Sequence, residues 1–218
     1  MLKKLYAWLY KATARADEKG EYSGGRIQGA IRESVLDLCR GSAGKTLEIG
    51  TGSGLFLVKL ASQNPNLKIW SIDTDEELLD EVANKIKDKE LGNIHLLRQN
   101  AQELTFDRDT FDSVICINFF IDVDMDFIVK ILKESKRVLK PSGRIIFEYR
   151  NSRNLLFRLK YKLAKYYDDS APYPLYTYHP EQIDAILKEL DLEVVNKKYI
   201  GFPIDKYAPI IIIEARKK

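Results

Sequence analysis

The stretch Thr46-Leu-Glu-Ile-Gly-Thr-Gly-Ser-Gly-Leu55 constrains this chain more than any other. Gly50, Gly52 and Gly54 alternate between a short apolar run, Leu47–Ile49, and an apolar-periodic segment, Leu55–Ala61. That pattern reads as a strand turning tightly into a helix. Glycine is favoured where backbone takes positive φ or must approach a ligand closely, and the first turn of a helix offers unpaired N–H groups. The spacing speaks to the ligand. A dinucleotide turn runs G-x-G-x-x-G, whereas here the third glycine comes one residue earlier, and the Lys-Ser/Thr of a phosphate-cradling loop is missing. Glu48, two positions before Gly50, would repel a pyrophosphate and favour a cationic group.

The surrounding chain supplies more of the ligand. Strand Lys68–Asp73 ends on a carboxylate 19 residues past Gly54, placed to accept hydrogen bonds from two ribose hydroxyls. After strand Ile94–Arg98, Asn100-Ala101 offers an amide that can read a base edge. Together these describe a ligand with a ribose, a purine and a cationic, unphosphorylated tail. The periodicities predict helices over Ile27–Leu38, Leu55–Ser62, Glu76–Lys87 (with Asp75 as N-cap), Phe127–Leu139 and Pro180–Leu190. Further strands are expected at Ser113–Asn118, Arg144–Tyr149, Leu192–Tyr199 and Ala208–Ala215, with a stop and turn at Pro141-Ser142-Gly143. The last strand holds Pro209-Ile-Ile-Ile-Ile-Glu and should be central or covered on both faces. Strands alternating with helices predict a parallel sheet between two helical layers.

Several classes of function are disfavoured. Net charge is only +3, so no global field argues for nucleic acid. No apolar run reaches the roughly 20 residues that span a bilayer, and Met1–Lys11 interleaves charge with apolar residues, unlike a secretory signal. Cys39 and Cys116 have neither metal nor disulfide spacing and read as core residues of a cytoplasmic protein.

These residues resemble the class I S-adenosylmethionine-dependent methyltransferases, particularly the small-molecule group that includes the ubiquinone and menaquinone methyltransferases. The matching parts are Leu47-Glu-Ile-Gly-Thr-Gly-Ser-Gly54, Asp73, Asn100-Ala-Gln-Glu-Leu104, Phe111-Asp112 and Arg137-Val-Leu-Lys-Pro-Ser-Gly-Arg144. The resemblance implies an α/β Rossmann-like sandwich whose seven-stranded, mostly parallel sheet has an antiparallel last strand and helices on both faces. It also implies one domain over 1–218: N-terminal helices or lid at 1–44, cofactor core at 45–149, a substrate-covering insertion at 150–178, and the last helix and strands at 179–218. By the same likeness S-adenosylmethionine is the cofactor. Glu48 and the turn Gly50, Thr51, Gly52 and Gly54 hold its methionine end. Asp73 and Thr74 hold the ribose, Asn100 and Ala101 line the adenine site, and Asn118 faces both cofactor and acceptor. Departures include Asn100 where the family commonly has Asp, Thr74 after the ribose acid, and Ser142 within the usual Pro-Gly-Gly.

Methyl transfer from a sulfonium is an in-line displacement that alignment alone can accelerate, and a base helps when the acceptor must lose a proton. His179, which opens the helix after the insertion, and Tyr149, which ends strand five beside Glu148, are the candidate catalytic residues, against capping or plain strand roles. Phe119, Arg150, Arg153 and Tyr178 are candidates for contacting a small-molecule acceptor. Arg150–Lys165 holds six basic residues and no acidic one, and Leu155, Leu156, Leu159, Leu163, Tyr166 and Tyr167 make one helical stripe. Such a segment fits an aromatic or lipid-like acceptor, an acidic metabolite drawn by Arg150, Arg153 and Arg158, or simply a solvated amphipathic helix. Residues 1–11, where Leu2, Leu5, Tyr6 and Leu9 are helically spaced, and 152–167 would be the points of any peripheral membrane contact. The competing functions are a cofactor-binding module without activity, an aminopropyl transferase using Asp122, Asp124 and Asp126, and an NAD-dependent oxidoreductase.

Overall fold

The computed structural model describes residues 3–4, 26–166 and 174–218. Of the expected helix at Met1–Lys11 only Lys3 and Lys4 are described, both helical; Tyr167 lies outside the described residues too.

Helix α1 (Arg26–Leu38) leads into the alternating core: β1 (Gly44–Ile49), α2 (Leu55–Gln63), β2 (Leu67–Asp73), α3 (Glu76–Asp88), β3 (Ile94–Arg98), β4 (Phe111–Cys116), α4 (Met125–Val138) and β5 (Leu139–Arg150). Then come α5 (Leu155–Ala164), α6 (Pro180–Glu189), β6 (Leu192–Ile200), a short 3-10 turn at Asp205–Tyr207, and β7 (Ile210–Lys217). The seven strands run in the order β3-β2-β1-β4-β5-β7-β6, parallel from β3 to β5, with β7 antiparallel to both its neighbours. The expected sheet and its reversed final strand are therefore present. Because the order reverses between β1 and β4, the carboxyl ends of those strands open a crevice there, the place where open α/β sheets bind ligands.

Apolar residues on alternate strand positions divide the core into two layers. One buries Ile31, Val35, Leu57, Leu60 and Val82 of α1, α2 and α3 against Ile69, Ile115, Ile146, Ile210 and Ile212. The other buries Ile128, Ile131, Leu132, Ile183 and Leu187 of α4 and α6 against Leu47, Ile49, Val114, Phe147 and Ile213. Strand β7 sits between β5 and β6 with Ile210–Ile213 buried on both faces, as its unbroken apolar run predicts. Each such isoleucine contributes about 1.5–3 kcal/mol relative to exposure.

Asp75 caps α3 as expected, accepting from Glu77 N (3.0 Å) and Leu78 N (3.2 Å), and Asp124 caps α4 in the same way by accepting from Phe127 N (2.8 Å). The predicted turn at Pro141-Ser142-Gly143 lies inside β5: Leu139 pairs with Phe111 and Arg144 with Ser113, so residues 140–143 swing out of the ladder. No helix among the described residues is long and apolar enough to cross a membrane.

Candidate functional site

The glycine turn is fixed from below before any ligand is considered. Gly50 N and Thr51 N both donate to the carbonyl of Ile72, at 2.9 and 3.1 Å, so the turn after β1 hangs on the end of β2. Gly50 has φ +85°, and a Cβ there would lie 2.7 Å from the Phe119 ring; Gly54 has φ +75° and would meet Val82 at 2.8 Å. Both positions need glycine for shape as well as conformation. A Cβ at Gly52 would meet nothing within 4 Å, which marks the open side of the turn.

Asp73, half-buried at the end of β2, joins the two strands' loops. Its Oδ2 accepts from Gly52 N (3.0 Å), and its Oδ1 from Thr74 N (2.8 Å) and Asp75 N (3.1 Å). Its own carbonyl accepts from Gln99 N at 3.0 Å, which draws the loop after β3 to the same place. In that loop Asn100 Oδ1 accepts from Gln102 N (2.9 Å), turning the chain around the exposed Asn100, and Ala101 is buried behind it. Arg137 holds the loop to α4 by donating to the carbonyls of Leu104 (2.7 Å) and Phe106 (2.8 Å), while Glu134 accepts from Leu104 N (2.9 Å). The recognised Arg137 motif is thus a brace for the Asn100 loop.

Glu48 lies beneath the turn, 1% exposed. Ser71 Oγ donates to its Oε2, and Ser71 Oγ shares a 2.7 Å hydrogen bond with Thr51 Oγ1. Burial pushes the Glu48 carboxyl up to about 8; the Ser71 hydroxyl opposes this and the Asp73 charge adds to it. Between the ordinary carboxylate range and about pH 8 the folded protein therefore holds a proton that the unfolded chain has released, and stability falls as pH rises through that window. Glu48→Gln should lose less stability than the parent between pH 5 and pH 8, by a few kcal/mol, in urea titrations at the two pH values. Equal losses would mean that Glu48 ionises as it does in water.

The crevice wall on the other side is polar where the sequence suggested plain strand. Asn118, with φ +55°, follows β4; its N–H donates to Glu148 Oε1 at 2.8 Å and its Oδ1 accepts from Arg150 Nη2 at 3.3 Å. Arg150 also pairs with Glu148 Oε1, and its Nε lies 3.2 Å from the Tyr161 hydroxyl on α5. Glu148 and Arg150 are 0% and 1% exposed, and Glu148 Oε2 has no hydrogen-bond partner among the described residues. Burial lifts the Glu148 carboxyl above its ordinary range, with Arg150 and the Asn118 amide holding it back.

The turn, Asp73, Thr74, Asn100, Ala101 and Asn118 are thus brought to one edge, with Glu48 below and Phe119 against Gly50. The expected catalytic and acceptor residues fare differently. Tyr149, adjacent to Glu148 on β5, points to the opposite face. There burial raises its hydroxyl pKa, Asp184 and Tyr199 add to the rise, and Arg153, Glu181 and Lys197 line the same hollow. His179 is exposed at the N-cap position of α6, where its backbone N–H donates to Gln182 Oε1 at 3.3 Å. Arg150 is buried in its ion pair and Arg153 is paired with Glu181, so neither offers a free charge to an acidic metabolite. Tyr178 is 3% exposed and donates its hydroxyl to the carbonyl of Val123, bracing the loop before α4. Asp124 serves as a helix cap, which removes it from the acids considered for holding a polyamine. Sequence reasoning names no role for Ser71, whose sign is a polar residue at an inward position of β2, and includes Arg137 in a motif without its brace, a long-range contact that spacing does not show.

Residues 46–143 match the family model described as a methyltransferase domain. Over its full length the chain superposes on a protein of Pyrococcus horikoshii with a TM-score of 0.74, at 21% identity and 100% coverage of both. A magnesium protoporphyrin IX methyltransferase from Synechocystis, solved with bound S-adenosylhomocysteine, superposes with a TM-score of 0.69 at 16% identity, covering 87% of this chain and 85% of that one. The chain has the class I methyltransferase fold. Within it the methyltransferase domain is also 37% identical over 112 residues to the demethylmenaquinone methyltransferase of Bacillus subtilis, covering 51% of this chain and 43% of that protein. The chain spans less than half the length of the curated relatives first matched.

Proposed function

We propose that the chain is an S-adenosylmethionine-dependent methyltransferase acting on a small, aromatic or lipid-like molecule, within one domain over 1–218. One observation carries the reading: the Gly52 amide and the Asp73 carboxylate meet at 3.0 Å above the buried Glu48–Ser71–Thr51 chain. This arrangement sets a ribose acceptor beside a glycine turn that rests on a protonated carboxyl able to ionise, which suits a nucleoside with a cationic tail.

In this reading Asp73 accepts the ribose hydroxyls, with Thr74 beside it, and the open Gly52 side receives the methionine end. Glu48 acts from beneath through Ser71 and Thr51, releasing its proton as the cationic group binds. Asn100 and Ala101 border the adenine. Bound S-adenosylmethionine supplies an activated methyl group; the chain's part is to hold acceptor and methyl in line in a drained crevice. Asn118, fixed through both its backbone and side chain, presents its remaining amide hydrogens at the edge shared by cofactor and acceptor, and Phe119 forms the apolar wall. In this reading neither His179, exposed at the start of α6, nor Tyr149, buried beside Asp184 and Tyr199, serves as a base, and the reaction rests on alignment. Arg150 and Arg153 are already paired, which disfavours an acidic acceptor, and the likeness to demethylmenaquinone methyltransferases supports a flat, apolar one.

The test is to incubate the protein with methyl-labelled cofactor and separate fractions of a metabolite and lipid extract. Label should move into a lipid-soluble product. Label in a water-soluble acid alone would contradict the acceptor class, and cofactor binding with no transfer to any fraction would favour a binding module.

A further inference from the structure

Helix α5 turns its apolar stripe outward. Leu155, Leu156, Leu159, Leu163 and Tyr166 are 71%, 76%, 53%, 43% and 62% exposed, although their spacing alone would place them against the core. The helix cannot roll to bury them, because its inner face is committed. Asn154 caps it by accepting from Phe157 N (2.8 Å), Phe157 packs on the sheet's α1 side, Tyr161 meets Arg150, and Ala164 is buried. The loop between β6 and β7 adjoins its start: Asn154 Nδ2 donates to the Tyr207 carbonyl (2.7 Å) and Asn151 Nδ2 to the Lys206 carbonyl (3.1 Å). That loop exposes Phe202, Ile204 and Tyr207, at 41%, 55% and 41%. A soluble monomer rarely leaves so many large apolar side chains together in water.

We propose that α5 and the Phe202–Tyr207 loop form a docking surface for an anionic lipid bilayer. Charge selects this occupant. Exposed Arg158, Lys162 and Lys165 accompany the leucines, no acidic residue occurs from Asn151 to Tyr166, the loop's one acid, Asp205, is next to Lys206, and Lys165 and Lys206 each lie over a neighbouring tyrosine ring, at 5.2 and 5.6 Å. Leucines that enter the acyl boundary, flanked by cations and tyrosines at headgroup depth, are the pattern of a helix lying in the membrane interface. A second protein copy would have to match the cationic flanks with acidic residues, whereas a lipid surface offers negative charge everywhere. Through Tyr161 and Arg150 the inner side of the same helix reaches Asn118, so the docked face lies one helix thickness from the crevice wall.

Flotation of the whole chain with vesicles tests this without cofactor or acceptor, so its failure would leave the methyl-transfer reading untouched. The protein should float with phosphatidylcholine vesicles containing phosphatidylglycerol, and much less with phosphatidylcholine alone. Leu156→Ser with Leu159→Ser should lower the partition at least about tenfold while circular dichroism and the melting curve stay as in the parent. Arg158→Glu with Lys162→Glu should abolish the preference for anionic vesicles. Absence from both vesicle types, equal flotation with both, or flotation unchanged by the leucine variant would overturn the proposal. So would a stable dimer, seen by light scattering, that the leucine variant dissolves and that does not float.

Discussion

Arg150→Met should cost about 3–5 kcal/mol of stability at pH 8, the typical penalty for stranding one member of a buried ion pair. The parent pair is fully enclosed, with Glu148 and Arg150 0% and 1% exposed. Removing the guanidinium leaves the Glu148 carboxylate with the Asn118 amide as its remaining side-to-backbone support and an Oε2 already unpartnered. The variant can recover only by protonating Glu148, whose pKa burial already raises. A raised folded pKa makes stability fall with rising pH, so the deficit should be smaller at pH 5 than at pH 8. Glu148→Gln with Arg150→Met, which removes both charges, should be more stable than Arg150→Met alone, because a buried neutral pair avoids the stranded charge. Urea titrations of the three proteins at both pH values measure all of this. A loss under about 1 kcal/mol that does not change with pH would mean the pair is not buried as described.

Asp73→Ala should weaken S-adenosylmethionine binding by about 1.5–3 kcal/mol, the value of a charged hydrogen-bond acceptor, or roughly 10- to 150-fold in Kd. Two losses contribute. The ribose would lose the acceptor proposed for it, and the glycine turn loses the Gly52 tether, together with the hydrogen bonds that Asp73 accepts from Thr74 N and Asp75 N. Titration calorimetry on a variant whose melting curve shows a folded protein gives the answer. Unchanged affinity would mean that the ribose is held elsewhere.

The sequence made the grouping of the glycine turn, Asp73 and Asn100 at one edge legible because its determinants are local. A glycine at φ +85° or +75° and a carboxylate closing the second strand leave their marks within a few residues, and strand alternation then carries them to one edge of the sheet. What spacing could not give was direction. On β5, Glu148 and Arg150 face the α1 side while Tyr149, between them, faces α6, and only the position of the strand in the sheet decides which face meets the crevice. The α5 stripe left its direction open for a related reason. A 3.6-residue period reports that one face is apolar, and here the protein engages the other face, through Asn154, Phe157 and Tyr161. The Arg137–Glu134 brace joins α4 to a loop about 30 residues earlier, a contact with no short-range signature.

The glycine turn that rests on Glu48 and is closed by Asp73 should bind a nucleoside with a cationic, unphosphorylated tail. Calorimetric titration of the parent protein with S-adenosylmethionine, S-adenosylhomocysteine and NAD tests it most directly. Both sulfur nucleosides should bind and NAD should not, with protons released on S-adenosylmethionine binding at pH 7, where Glu48 is still protonated in the free protein. Binding of NAD with neither sulfur nucleoside would contradict the account.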